Sequence, residues 1–278
     1  MADLERLVEH VKDVVLASSE FTKVGNYSIT EKEGESYNIV TSADLAVQDF
    51  LQKKLLTLLP EAGFQGEESH QQDIDKEYVW IVDPIDGTTN FARGMQQSGI
   101  SVALRHEKEL VLGVVYNPDL EDMFWAVKGK GAFLNGKRIS VSKKDFEHSI
   151  LCTALSLYRK NYAEICSKVL MDAYMQCADF RRFGVASLEI CYVAAGRVDT
   201  FFEFRIFPWD FAAAALILRE AGGVIGTVRM KGDKKELSTD LVLDNPSPVI
   251  AANSEDNFKK IGELVIKHMG SFDFKGYY

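Results

Sequence analysis

The chain has 278 residues, of which 46% are hydrophobic and 26% charged, with only 6 prolines. That is the balance of an ordinary globular protein with material for a sizeable core. A net charge of −9 works against nonspecific nucleic-acid binding, which needs Lys and Arg to neutralise phosphates. No stretch approaches the ~20 consecutive apolar residues that a membrane helix requires. The start, Met1-Ala-Asp-Leu-Glu-Arg6, enters an amphipathic pattern directly and has no signal-peptide apolar run, so a cytoplasmic location is expected. Cys152, Cys166, Cys177 and Cys191 lie far apart with no Cys-x-x-Cys pair, a spacing that suits buried thiols and neither zinc nor a disulfide framework.

Leu4, Leu7, Val8, Val11, Val14 and Val15 recur at helical spacing, which predicts an amphipathic helix over 3–18. A polar loop follows at 22–37. Thr41-x-x-Asp44 has the form of a helix start, and Leu45, Phe50, Leu51, Leu55 and Leu58 carry that helix to Pro60. Tyr78–Val82 reads as a short buried strand whose C-terminal end, at Asp83-Pro84, is exposed. Strands over 98–105, 109–116 and 122–128, broken at Glu107-Lys108 and Asn117-Pro118, predict an antiparallel meander. Asn135-Gly136 marks a further hairpin. Beyond it, strands at 149–156, 198–204 and 249–252 alternate with helices at 159–177, 185–195, 209–221 and 255–269, the pattern of α/β layers. No repeat or linker separates the halves, so a single domain over 1–278 is expected, with an N-terminal α+β half to about 145 and a C-terminal α/β half from about 146.

Three acidic segments carry the chemistry. In Trp80-Ile-Val-Asp83-Pro84-Ile85-Asp86-Gly87-Thr88-Thr89-Asn90, two carboxylates three residues apart follow a buried strand, and both can face one cation. The Ile85 carbonyl between them adds a hard oxygen of the kind magnesium prefers. Gly87 permits a tight turn, and a helix opening at Thr88 would offer N–H groups to a phosphate. The second segment is Gly66-Glu67-Glu68-Ser69, in a loop before the strand; the third is Trp209-Asp210-x-Ala-Ala, at a helix start. Taken singly, Asp-Pro and Asp-Gly are also turn formers, Glu67-Glu68 also suits a solvated loop, and Asp210 also suits a helix dipole. An acidic chain that binds an anion has to repair its local field, and bound cations do so.

Those three segments, in that order, resemble the inositol monophosphatase family of lithium-sensitive, metal-dependent phosphatases. The likeness runs from Val40-Thr41-x-x-Asp44 through Ala194-Ala195-Gly196 to Asp210. It implies a layered α-β-α-β-α sandwich and commonly a homodimer. It also implies two to three magnesium ions per site: Glu67, Asp83 and the Ile85 carbonyl on the first, Asp83, Asp86 and Asp210 on the second, and Glu67 reaching a third through water. On the same basis Thr88 with Asp44, beside Glu67, orients and deprotonates the attacking water, although Thr88 also suits a helix N-cap and Asp44 a capping acid. Gly87 and Thr88 hold the phosphate. Asp86, Gly184, Val185, Ala186, Glu203 and Asp210 meet the alcohol part of the substrate.

Gly184 also suits the end of a strand or loop, and Glu203 an exposed strand position. Val185 stands where relatives often have Ser or Thr, which removes a hydroxyl from the pocket rim. The loop at 22–37 corresponds to a flap that relatives close over the metals. Lys32 is its candidate lysine, and Asn38 stands where many relatives have Asp. His10, His70, His106, His148 and His268 match no metal position. The expected reaction is hydrolysis of a small phosphate monoester, foremost inositol monophosphate. The alternatives are fructose-1,6-bisphosphatase, 3′(2′)-phosphoadenosine, histidinol-phosphate and NADP phosphatases, Arg181, Arg182 and Arg205 being candidates for a nucleotide pocket. A regulatory protein retaining the fold is the alternative from another class, since some bacterial members act through RNA-polymerase-associated factors. A two-metal nuclease is disfavoured by the acidic balance.

Overall fold

A computed structural model describes residues 3–23, 27–31, 39–68, 73–154, 160–232 and 234–270. Helix α1 (Leu4–Ser18) starts where the Asp3 carboxylate accepts the Arg6 N–H at 3.2 Å, and it buries Leu7, Val8, Val11 and Val15. Strand β1 (Ile29–Glu31), inside the segment 22–37 expected to be loop, pairs antiparallel with β2 (Ile39–Thr41), which lies just beyond it. Lys32 and Asn38 lie outside the described residues. Helix α2 (Ser42–Leu58) begins at Thr41 with the reciprocal capping that the Thr-x-x-Asp spacing predicts.

Strand β3 (Gly63–Gly66) runs parallel to β4 (Tyr78–Asp86), and the one-turn helix α3 (Thr88–Ala92) follows. The predicted meander is present as β5 (Gly99–His106), β6 (Glu109–Asn117) and β7 (Asp122–Val127), extended by the hairpin β8 (Gly131–Leu134) and β9 (Lys137–Ile139). Together they make a seven-stranded sheet in the order β3-β4-β5-β6-β7-β8-β9. Strand β10 (Ile150–Thr153), helix α4 (Ala163–Tyr174), strand β11 (Asp179–Arg181), helix α5 (Ala186–Ala194), strand β12 (Thr200–Ile206) and helix α6 (Pro208–Glu220) come next. The chain then forms β13 (Val224–Lys231), β14 (Lys234–Ser238), β15 (Ser247–Ala252) and α7 (Glu255–Met269). The second sheet is mixed, in the order β11-β10-β12-β15-β13-β14, with β10 parallel to β11 and β12 and the remaining pairs antiparallel.

Five layers result, in agreement with the expected α-β-α-β-α sandwich. Helices α1 and α2 cover one face of the seven-stranded sheet over Val11, Val47, Leu51, Trp80 and Val102. Helices α5 and α6 fill the space between the sheets, where Phe211–Leu218 and Leu188–Ala194 meet Ile81 and Phe124 on one side and Phe201 and Ala251 on the other. Helices α4 and α7 close the far face over Phe202, Phe204, Ile250 and Phe258. A helix sandwiched between two sheets has no solvent face, which explains the unbroken apolar run of α6. No helix among the described residues is long and apolar enough to cross a membrane.

Candidate metal and phosphate site

The site grows from the C-terminal end of β4. Here the structure corrects one expectation: the strand does not end in solvent at Asp83. It continues through Pro84 to Asp86, and both acids are buried because the starts of α5 and α6 cover them. The Asp83 Oδ1 accepts the Ile85 N–H at 3.1 Å, which fixes the carboxylate against its own strand. Gly87 then turns the chain at φ +85°, and a Cβ there would sit 2.6 Å from a Val185 methyl. Only glycine fits both the backbone angle and the space.

Gly87 holds the N-cap position of α3 without any side-chain bond, so Thr88 is not the cap. Its hydroxyl lies 3.1 Å from the Ile85 carbonyl and 3.2 Å from Asp44 Oδ1. A hydroxyl carries one proton, so these two acceptors compete for it. The other Asp44 oxygen accepts the Thr41 N–H at 2.8 Å and the Thr41 hydroxyl at 2.5 Å. Asp44 is thus a capping acid with one oxygen and a partner of Thr88 with the other.

Gly66 closes β3, so the expected loop at 66–69 begins only after it; Ser69 lies outside the described residues. The Glu67 N–H donates to the Val82 carbonyl at 3.2 Å, and the Glu68 N–H to Gln48 Oε1 at 2.9 Å. A Cβ on Gly66 would fall 2.4 Å from that same Gln48 oxygen. Helix α2 therefore anchors this turn as well as supplying Asp44. Asp86 Oδ2 accepts the Ser187 N–H at 2.7 Å, at the start of α5. Asp210 Oδ2 accepts the Phe207 N–H at 2.7 Å, at the start of α6, and its carboxyl meets that of Asp83.

Burial, and then mutual repulsion, push the Asp83, Asp210 and Glu203 carboxyls well above the ordinary range. Burial, with repulsion from Glu67 added, raises Asp86 to about 7 against the pull of its hydrogen bonds to Ser187 and Ala186. Asp44 is raised by burial, with Thr41 and Thr88 pulling the other way. Close carboxylates of one sign are stable in the ionised form only when a cation joins them. The donor set is carboxylate and carbonyl oxygen without thiolate or imidazole, which suits magnesium and not zinc. Among the described residues no group of three acids, histidines or cysteines is already arranged to hold a metal ion. His10, His106, His148 and His268 bond to Arg6, Glu77, Asp145 and Asp172, all outside the basin; His70 lies outside the described residues.

On the rim, Gly184 adopts φ +76° and Val185 is buried against the Gly87 turn. Ala186 opens α5, with its N–H toward Asp86. Glu203, opposite Val249 on β12, is half-buried and faces the acids, which replaces the alternative of an exposed strand residue. The sequence pattern does not single out Glu189 or Asn90. Glu189 is buried and accepts the Phe183 and Gly184 N–H groups at 2.5 and 3.1 Å. Asn90 donates to the Gln97 and Phe183 carbonyls at 2.9 and 2.6 Å. A lone acid inside the apolar run Leu188-Glu189-Ile190-Cys191 is the signal that marks Glu189.

The sequence profile of the inositol monophosphatase family matches residues 6–269. The chain belongs to the inositol monophosphatase family. Members of that family are phosphatases. The chain is 38% identical over 225 residues to the Nus factor SuhB of Escherichia coli K12, covering 80% of this chain and 84% of that one. It is 39% identical over 213 residues to the inositol-1-monophosphatase of Caulobacter vibrioides, covering 75% and 82%. The solved structure of an IMPase from Thermotoga maritima superposes with a TM-score of 0.79 at 30% identity, covering 95% of this chain and 99% of that one.

Proposed function

We propose that this member of the inositol monophosphatase family hydrolyses a small phosphate monoester, inositol monophosphate foremost, with magnesium held by Glu67, Asp83, the Ile85 carbonyl, Asp86 and Asp210. The observation that carries the reading is the joining, at one strand end, of this oxygen-only acid set to a Thr88–Asp44 pair 3.2 Å apart. Two to three ions, when bound, supply the positive charge that makes water a nucleophile near neutral pH and offsets charge on the phosphoryl group. Thr88 accepts a proton from the attacking water as it passes its own to Asp44, whose raised basicity suits that task. Glu67, beside them, orients the same water. Gly87 and Thr88 N–H groups, at the opening of α3, are the proposed phosphate donors. Asp86, Gly184, Val185, Ala186, Glu203 and Asp210 line the side where the alcohol leaves. With Val185 buried, the rim there offers backbone and no hydroxyl.

The test is phosphate release, with and without magnesium, from inositol 1-phosphate, fructose 1,6-bisphosphate, 3′-phosphoadenosine 5′-phosphate, histidinol phosphate and NADP. Release on one member that is lost in Asp83→Asn is the expected result. Magnesium-dependent turnover that survives Asp83→Asn overturns the metal assignment. A homodimer and inhibition by lithium belong to the same proposal, and sedimentation velocity and a lithium titration check them.

A second reading is favoured by the relative's name, Nus factor SuhB, at 38% identity: an interaction protein that keeps the fold. The complete set Asp44, Glu67, Asp83, Asp86, Thr88 and Asp210 speaks for chemistry being retained beside any such role. Absence of release on the whole panel, from folded and metal-loaded protein, would move the reading to an unlisted phosphate ester or to this role.

A further inference from the structure

We infer that Glu189, a residue to which the proposed chemistry gives no part, is a positioning residue that sets the metal affinity of Asp86 through the start of α5. The inference rests on the metal assignment above and deepens it.

Glu189 sits one turn into α5, with 1% of its surface exposed. Its Oε1 turns back and accepts the Phe183 and Gly184 N–H groups, at 2.5 and 3.1 Å. Asn90 grips the same peptide segment from the opposite side, donating to the Phe183 carbonyl at 2.6 Å. Asn90 belongs to α3, the helix opened by the Gly87 turn. The Phe183-Gly184 peptide is therefore clamped between the turn that follows Asp86 and the helix that Asp86 itself binds. Gly184, at φ +76°, aims the chain into α5. Two residues later Ala186 and Ser187 present their N–H groups to Asp86, the latter at 2.7 Å on Oδ2. The Asp86 carboxylate is thus held by a helix start whose approach Glu189 fixes. Groups that orient a ligand in this way commonly change metal affinity on the order of 10- to 100-fold when removed.

The outcome follows from the acceptor alone. In Glu189→Ala two buried donors lose their partner, Gly184 is free to shift, and Asp86 loses its fixed direction. Glu189→Gln keeps an Oε1 that can accept both N–H groups. Val193→Ala, on the buried face of the same helix, is the control for loss of packing alone.

The experiment is a titration of Mn2+ without substrate, followed by the electron paramagnetic resonance signal of the free ion, on all four proteins. The expected result is binding weakened on the order of 10-fold in Glu189→Ala, largely recovered in Glu189→Gln and unchanged in Val193→Ala. Equal weakening in Glu189→Ala and Val193→Ala, or unaltered binding in Glu189→Ala, overturns the inference. Wild-type protein that binds no Mn2+ overturns instead the metal assignment on which it rests. Where Glu189→Ala does not fold, failure of Glu189→Gln to bind within about threefold of wild type decides against it, since that variant retains the acceptor.

Discussion

At the scale of single residues, the proposed function divides the site into groups that bind charge and groups that move a proton. It assigns Thr88 to the second kind, on the ground that its hydroxyl is shared between Asp44 and the Ile85 carbonyl. Thr88→Val keeps the shape and removes the relay. Its kcat is expected to fall on the order of 10²- to 10⁴-fold, the usual weight of a general base, with the magnesium half-saturation unchanged. A parallel loss of magnesium affinity in a full kinetic titration would show Thr88 to be a ligand and not a relay. Gly87→Ala tests the turn: left-handed backbone costs an alanine about 1–2 kcal/mol, and the Val185 methyl at 2.6 Å adds overpacking. Denaturant titration is expected to register both. The acids of the site were legible in sequence because two of them stand three apart after an apolar strand and the chemistry needs oxygen. The roles of Glu189 and Asn90 were not, because their partners are backbone N–H and carbonyl groups brought near by the fold; the one trace in residue type is that Glu189 is a lone acid in an apolar run.

Among the elements, α6 does the most to define the molecule, since it opens at Asp210 and then fills the space between the sheets. It approaches β6 at Gly113, where a Cβ would lie 2.6 Å from the Ala213 carbonyl. That contact is backbone on backbone and cannot yield locally. Gly113→Val is expected to destabilise by at least about 1–3 kcal/mol, the usual cost of overpacking, and to shift Asp210 with the helix. Reduced metal affinity together with a lower Tm is the signature to look for; a Tm loss with intact metal binding would mean that α6 moves without its first turn. The outer helices such as α1 and α7 were legible because their apolar periodicity runs for many residues, α6 because its apolar run is long, and the β5–β7 meander because charged or Pro-containing breaks divide it. Strands β3 and β11 were not, having only four and three residues, too few to show a period. The pair β13–β14 was hidden for another reason: its outer half is exposed and carries Arg229, Lys231, Lys234 and Lys235, so polar residues replace the alternation that marks a half-buried strand. The helix expected at 159–177 is shorter, Ala163–Tyr174 behind a single 3₁₀ turn.

For the molecule as a whole, the shared α5–α6 layer leads us to propose that the two halves unfold together, so that calorimetric and van't Hoff enthalpies agree. The starts of the same two helices meet the buried acids of β4, and these acids link stability to pH. Unfolded Asp and Glu titrate near about 4, whereas folded Asp86 and Glu189 are raised to about 7 by burial. Between those values the folded chain holds protons that the unfolded chain has released. Stability without metal therefore falls as pH rises from about 4 to about 7, each unit of difference being worth about 1.4 kcal/mol per group before coupling. Asp83, Asp210 and Glu203, also pushed well above the ordinary carboxylate range by burial, act in the same direction. Exposed acids held low by basic partners, such as Asp172 beside Lys267 and His268, lose their contribution only below about 4 and leave this window untouched. On the proposed metal assignment magnesium binds the ionised acids, so its stabilising effect runs the opposite way and grows with pH. Thermal melts in chelator at pH 5.5 and 8.0, repeated with excess magnesium, are expected to show the lower Tm at pH 8.0 without metal and the larger magnesium increment there as well. A chelated protein more stable at pH 8.0 than at pH 5.5 would mean that the acids ionise freely in the folded state, and that the basin does not need a cation to hold its charge.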